Sequence, residues 1–335
     1  MAMDPADIEA SAFFVKCPPG DGISALQFST ESDLLAASSW NNQATLNMHC
    51  FIQVQIYDIN FEDRESYIKF AYPHKAPVLC LKWSLDGSQI VSGGADHKGR
   101  LYDLESGRLV EFAHHEAPIK SILYADYNLV VTGSWDRTIR YWDLRVPGPI
   151  GTLCLSERVY TMDACRSSLV VGTADNKVHQ IDTMVPDTII KTMDSPLNHQ
   201  MRRIRCFREG DGFAMSSIEG RVAIEYTEQI DQAKSFTFKC HRIENQIYAV
   251  NDLDFHPSEQ GVLLTAGSDG TIIIWNKDKR QKLKAYSRVD GHISCAAYNR
   301  DGIAFAYAVS YDWSKGYKFA TDTNKIYIHE MELFE

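Results

Sequence analysis

Short apolar runs recur along this chain at a regular interval, each set off by polar turn residues. They are Leu34-Leu35-Ala36, Ile90-Val91, Leu129-Val130-Val131, Leu169-Val170-Val171, Phe213-Ala214-Met215, Val262-Leu263-Leu264 and Ile303-Ala304-Phe305. Three of them follow Asp86-Gly87, Asp211-Gly212 and Asp301-Gly302, whose glycines suit hairpin turns. Runs this short, bounded by turn signals, predict buried strands. Their spacing of about 40 to 55 residues is near the length of one four-stranded propeller blade.

After most runs comes a small-residue and acid signal, then a second β-rich run. The best copies are Thr132-Gly-Ser-Trp-Asp-Arg-Thr-Ile-Arg-Tyr-Trp-Asp143 and Thr265-Ala-Gly-Ser-Asp-Gly-Thr-Ile-Ile-Ile-Trp-Asn276. Weaker copies lie at Ser92–Asp103 and Gly172–Asp182, and Ser216–Arg221 carries Glu219 where the others carry Asp. These motifs resemble WD repeats, and the resemblance implies an all-β fold, a seven-bladed WD40 β-propeller. The expected blades lie near 21–72, 73–113, 114–152, 153–191, 192–240, 241–287 and 288–335, in a single domain over 11–335, with a flexible N-terminus at 1–10. In this family a strand such as Ser11–Lys16 completes the last blade and removes an exposed sheet edge. Three insertions break the period, at 41–53, 194–200 and 310–324, and surplus loops are where function tends to sit.

Composition narrows the class. Of 335 residues, 44% are hydrophobic and 23% charged, enough apolar content to bury a full core. No long uncharged apolar run predicts membrane insertion. Acids at Asp4, Asp7 and Glu9 argue against a secretory signal. The eight cysteines are scattered without a C-x-x-C pair, which suits free thiols in a reduced compartment. A net charge of −10 means that any nucleic-acid contact must come from a local patch.

His115, Ser134 (or Thr132), Asp136 and Trp142 have the makings of a hydrolase triad. A related set, His241, Asp269 and Trp275, occurs later. A triad is needed once, so repetition favours the buried hydrogen-bond network that WD blades carry, and no G-x-S-x-G elbow is present. No metal or phosphate-loop motif appears, and no cofactor or enzymatic activity is expected.

Trp40 and Trp135 lie in polar turns rather than on third strands, and a tryptophan there is more readily an interface anchor than a core residue. Arg221 takes the turn position of Thr138 and Thr271. Two basic clusters, Arg202, Arg203 and Arg205, and Lys279, Arg280 and Lys282, are either solvated turns or sequence-independent phosphate contacts.

Beyond the repeat, Asp194–Gln200, Ser217–Ile224, Phe236–Arg242 and Ser310–Gly316 resemble the Rae/Gle-type mRNA export factors of the nuclear pore. The Bub-type mitotic checkpoint propeller is the near relative and shares the second and third of these elements. The resemblance implies a monomeric adaptor in a heteromeric complex, nuclear and at nuclear pores, also cytoplasmic. It would bind the Gle-binding sequence (GLEBS) of a Gly-Leu-Phe-Gly-repeat nucleoporin, and mRNA or single-stranded RNA. It implies apolar anchors at Trp40 and Trp135, acid-pairing cations at Arg221 and Lys239, and a neighbouring pocket lined by Phe238, Trp313 and Lys315. The alternative is a checkpoint adaptor that binds GLEBS motifs of kinetochore proteins.

Overall fold

The computed structural model describes residues 12–40, 52–183, 185–186, 188–314, 316–319, 321 and 323–331. The expected flexible N-terminus, Ser11, Lys315 and most of the 41–53 insertion lie outside them. Among the described residues the structure is almost all strand, with short 3-10 turns at Gln229–Lys234 and Tyr317–Phe319 and no α-helix. Seven sheets of four strands each give the architecture of a seven-bladed β-propeller.

The chain forms two compact units, one from Leu79–Val250 and one from Met1–Val78 with Asn251–Glu335. In the Leu79–Val250 unit, blade 3 is Ile119–Asp126, Leu129–Ser134, Thr138–Asp143 and Gly151–Cys154. These strands pair antiparallel in sequence order. Blade 2 (Val78–Trp83 through Leu109–His114), blade 4 (Val159–Cys165 through Ile189–Asp194) and blade 5 (Met201–Cys206 through Phe236–Lys239) repeat the plan. The other unit holds blade 1 (Ile23–Phe28 through Glu65–Pro73), blade 6 (Val250–Phe255 through Gln281–Ala285) and blade 7. Blade 7 is Ile293–Tyr298, Ala304–Val309 and Lys325–Glu330, completed by Ala12–Phe14. Phe13 pairs with Ile328, and the Val15 N–H donates to Ile326 O at 2.9 Å. The N-terminal strand thus closes the last blade and covers its edge.

Second strands are the most buried. Leu34–Ser39, Gly212–Ser217, Val262–Gly267 and Ala304–Val309 are buried at every position. A central strand with a sheet packed on each face reads as a continuous apolar run, whereas Ile189–Asp194 at an edge alternates. Side chains of adjacent blades interleave, as where Val131, Ile139 and Tyr141 of blade 3 pack with Met162, Val171 and Ile181 of blade 4. Gly133 makes this approach possible, because a Cβ there would stand 2.7 Å from Val159 Cγ1 and 2.6 Å from Met162 Sδ. Gly93 plays the same part against Ile119.

Candidate functional site

The turn from second to third strand carries the repeat's polar chemistry. In blade 3 the Asp136 carboxylate accepts from the Thr138 N–H at 2.9 Å, and Arg137 beside it adopts φ +66°. Blades 2, 5 and 6 place Asp96-His97, Glu219-Gly220 and Asp269-Gly270 likewise, with positive φ at the second residue. In these four blades an acid thus marks the turn at one end of the sheet, and the residues on either side of it are presented there.

Four residues of blade 5 and its flanks gather at such an end. Arg221 opens the third strand and stands directly opposite Lys239 on the fourth. Arg221 is half-buried, and its Nε lies 3.4 Å from Glu219 Oε2. Glu219 also accepts from the Asn198 N–H (3.3 Å) and faces His199 at 3.9 Å. Arg242, on the small hairpin Arg242–Ile243/Gln246–Ile247, donates Nη2 to Glu219 O at 2.9 Å. Two cations thus stand in direct register, one of them beside the Glu219 carboxylate, with a third on the Glu219 backbone carbonyl. Like charges facing each other across strands oppose folding. Such an arrangement is suited to taking acidic groups, which would replace mutual repulsion with charge-assisted hydrogen bonds. Phe238 is half-buried with its ring 6.1 Å from that of Phe236. Arg242 and His199 escaped the sequence reading; the legible signal was Glu219 in place of the repeat's Asp.

Trp135, in the same unit, follows the second strand of blade 3 and donates its backbone N–H to Pro118 O at 3.0 Å. The residue is half-buried, and its indole N–H is buried with no acceptor among the described residues. Ile218 holds the equivalent place in blade 5 and is exposed.

In the other unit Trp40 holds that same repeat position, its N–H bonded to Gly22 O at 2.9 Å. Its ring stacks on Trp313, with centroids 5.2 Å apart and planes at 30°. Tyr311 adds a third ring, 5.8 Å from Trp313. Gly22 leaves room for the stack, since a Cβ there would be 3.1 Å from Trp313 Nε1.

The His/Asp/Trp constellation of blade 3 is a single relay. The Trp142 indole N–H donates to Thr132 Oγ1 at 2.8 Å, and Thr132 Oγ1 lies 2.7 Å from His115 Nε2. His115 Nδ1 in turn lies 2.8 Å from Asp136 Oδ2. A neutral His115 that donates from Nδ1 and accepts at Nε2 satisfies every group. Burial holds the His115 imidazolium form below its ordinary range despite the Asp136 carboxylate beside it. For Asp136 burial opposes ionisation, yet the hydrogen bonds from His115 and Thr138 prevail, and its carboxyl is held well below the usual range. Ser134 is not the relay. Its hydroxyl turns to Ala117 O and Pro118 O, 3.0 Å each, because it lies one pleat further along the same strand face, beside that loop. In blade 6 Thr265, at the same strand position as Thr132, accepts from the Trp275 indole at 3.0 Å. Asp269 accepts from the Thr271 N–H (3.1 Å) and hydroxyl (2.8 Å), while His241 is buried in the Leu79–Val250 unit. A buried imidazole locked between a hydroxyl and a carboxylate ties the strands and the loop of the blade together.

Arg202, Arg203 and Arg205 are half-buried on the first strand of blade 5. Lys279, Arg280 and Lys282 are exposed at the hairpin between the last two strands of blade 6. No cluster of His, Cys, Asp and Glu among the described residues could hold a metal ion. Burial pushes the Cys80 thiol up to about 12, as befits a packed, unreactive cysteine.

Comparison with known proteins supports the same architecture. The model of the WD domain, G-beta repeat, matches residues 66–103, 107–143 and 233–276. A poly(A)+ RNA export protein of Schizosaccharomyces pombe is 41% identical over 322 residues, covering 93% of this chain and 88% of its own. mRNA export factor GLE2 of Chaetomium thermophilum is 42% identical over 326 residues, with the same coverage. Protein Rae1 of Drosophila melanogaster is 38% identical over 328 residues, covering 93% of this chain and 91% of its own. Likeness of this depth over nearly the whole sequence, on blades whose turn chemistry repeats, places the chain in the WD-repeat family of Rae1/GLE2 mRNA export factors.

Proposed function

We propose that this chain is a non-enzymatic adaptor in mRNA export, acting in the nucleus and at nuclear pores and passing also to the cytoplasm. Its partner would be the GLEBS segment of a Gly-Leu-Phe-Gly-repeat nucleoporin. The observation that carries this reading is the register of Arg221 against Lys239, with Arg242 alongside. A chain of net charge −10 keeps these cations together at a cost in folding stability, which an acidic segment would offset on binding. Trp135 would give that segment an apolar anchor, and its orphan indole N–H would meet a carbonyl brought by the partner. Trp40 and Trp313 offer a second aromatic element, with Phe238 and Lys315 as further contacts. The relatives' names as an RNA export protein and an mRNA export factor support the export part of this reading.

RNA contact is assigned to the exposed hairpin of Lys279, Arg280 and Lys282 rather than to the half-buried arginines of blade 5. Calorimetric titration of the full chain with a GLEBS peptide tests the main reading. Saturable binding that weakens as salt rises supports it, and no detectable binding at low salt overturns it. Capture of checkpoint kinase but not nucleoporin from nuclear extract would move the assignment to the mitotic alternative.

A further inference from the structure

Trp313, whose ring stacks on Trp40, directly follows a buried carboxylate in sequence. The Asp312 side chain is 1% exposed. Its Oδ2 accepts from the Ser268 hydroxyl at 2.5 Å, and its Oδ1 accepts from the Ser314 N–H at 3.0 Å. Ser268 is itself fixed, because the Asn251 amide donates to its Oγ at 2.9 Å and to Ile293 O at 2.8 Å. His292 donates Nδ1 to the Ser268 carbonyl at 2.7 Å and stands 3.9 Å from Asp312 Oδ2. The carboxylate of the blade 7 loop is therefore moored to the second-to-third-strand turn of blade 6.

After Asp312 the backbone takes the left-handed turn that Arg137 and His97 take at the same place in their blades. Trp313 adopts φ +59°, a region that a bulky side chain enters only when its surroundings dictate it. The loop closes behind it, with the Gly316 N–H on Trp313 O at 3.2 Å and the Tyr311 hydroxyl on Gly316 O at 3.1 Å. The outcome is the indole lying on Trp40 and against Gly22. Burying a charge costs several kcal/mol unless its hydrogen bonds are complete, and the added bond from Ser268 ties this turn acid to a neighbouring blade. Burial would raise the Asp312 carboxyl, but the hydrogen bonds from Ser268 and Ser314 outweigh it and keep the group ionised.

We propose that Asp312 is a positioning residue of the partner-binding surface: moored through Ser268, it sets the Trp313 indole on Trp40, so that the aromatic pair is formed before a partner arrives. The proposal rests on the nucleoporin-binding reading for its effect on affinity, and on the geometry alone for its effect on the ring pair. The mechanism is pre-organisation, in which the ordering of the loop is completed on folding rather than on binding.

The test uses the full chain and the variants Asp312→Ala, Ser268→Ala, Trp313→Ala, Trp40→Ala and the double variant Asp312→Ala/Trp313→Ala. Near-ultraviolet circular dichroism reports the stacked indoles without any partner. Asp312→Ala and Ser268→Ala are expected to lose the same spectral component that Trp40→Ala loses. Titration with a GLEBS peptide is expected to show Asp312→Ala about tenfold weaker than the parent chain, with the double variant no weaker than Trp313→Ala alone. A purely structural role would lower the melting temperature yet leave the two binding losses additive. An unchanged indole signal in Asp312→Ala, or full additivity in the double variant, overturns the proposal. If Trp313→Ala binds as the parent does, this tryptophan leaves the nucleoporin site. The spectral comparison then still decides whether Asp312 places the ring.

Discussion

Arg221 stands directly opposite Lys239 on the paired third and fourth strands of blade 5, two cations in one register. Removing one charge should help folding slightly and harm binding greatly. Lys239→Ala and Arg221→Ala are expected to melt within a few degrees of the parent chain. Arg221→Ala should weaken GLEBS-peptide binding by about 2–5 kcal/mol, the usual loss on truncating a desolvated charge contact. Calorimetry beside a thermal melt measures both. Arg221→Glu should abolish binding, since it puts a second acid beside Glu219 where the partner's acids would dock.

The blade 3 relay passes through Thr132, so Thr132→Val should be destabilising although its shape is nearly conserved. It would orphan the Trp142 indole N–H and remove the hydroxyl at His115 Nε2, at about 1–3 kcal/mol for each buried group left unsatisfied. Asp136→Ala should lower the melting temperature for the same reason. Urea titration of both against the parent chain is the measurement. Equal midpoints would remove the relay from the account of stability.

Acidification should weaken the fold in two windows, and the sign follows from the direction of each shift. His115 is held neutral in the fold, while the unfolded chain takes up a proton below about pH 6.5, so stability is lost as pH falls from 7 through that region. Asp136 is held ionised, so its share is present above about pH 3.9 and is lost as pH falls below that. Melting temperatures from pH 8 to pH 5 should drop more steeply in the parent chain than in His115→Gln.

Close approach of neighbouring blades depends on a missing side chain at Gly133. Gly133→Ala would press a methyl group on Val159 and Met162, and overpacking of this kind costs typically about 1–3 kcal/mol. Methionine can yield, but the branched Val159 methyl cannot without moving its strand. A chemical melt should show the loss, and Ser167→Ala, in a loop of the same unit, provides a control expected to stay near the parent.

RNA contact, if it resides in the blade 6 hairpin, should be electrostatic. Lys279→Glu, Arg280→Glu and Lys282→Glu together should lower affinity for a single-stranded oligonucleotide and flatten its dependence on salt. Fluorescence anisotropy at two salt concentrations reads this directly. A retained salt slope would place the contact elsewhere.

The repeat itself was written in the amino-acid sequence. Apolar runs mark the fully buried second strands, acids mark the turns, and a spare N-terminal strand marks the closure, because each is a local preference of a short segment. Trp40, Trp135 and Arg221 could also be placed at turn ends, since repeats that align in sequence align in position. What sequence could not choose were partners at a distance. Thr132 and Ser134 lie on one strand face, and only the packing of the preceding loop decides which of them His115 meets. The stack of Trp40 on Trp313, the mooring of Asp312 to Ser268, and the addition of Arg242 to the Arg221–Lys239 pair each join segments far apart in the chain. Strand register and the interleaving of adjacent sheets set those meetings, and they exist only once the blades have packed.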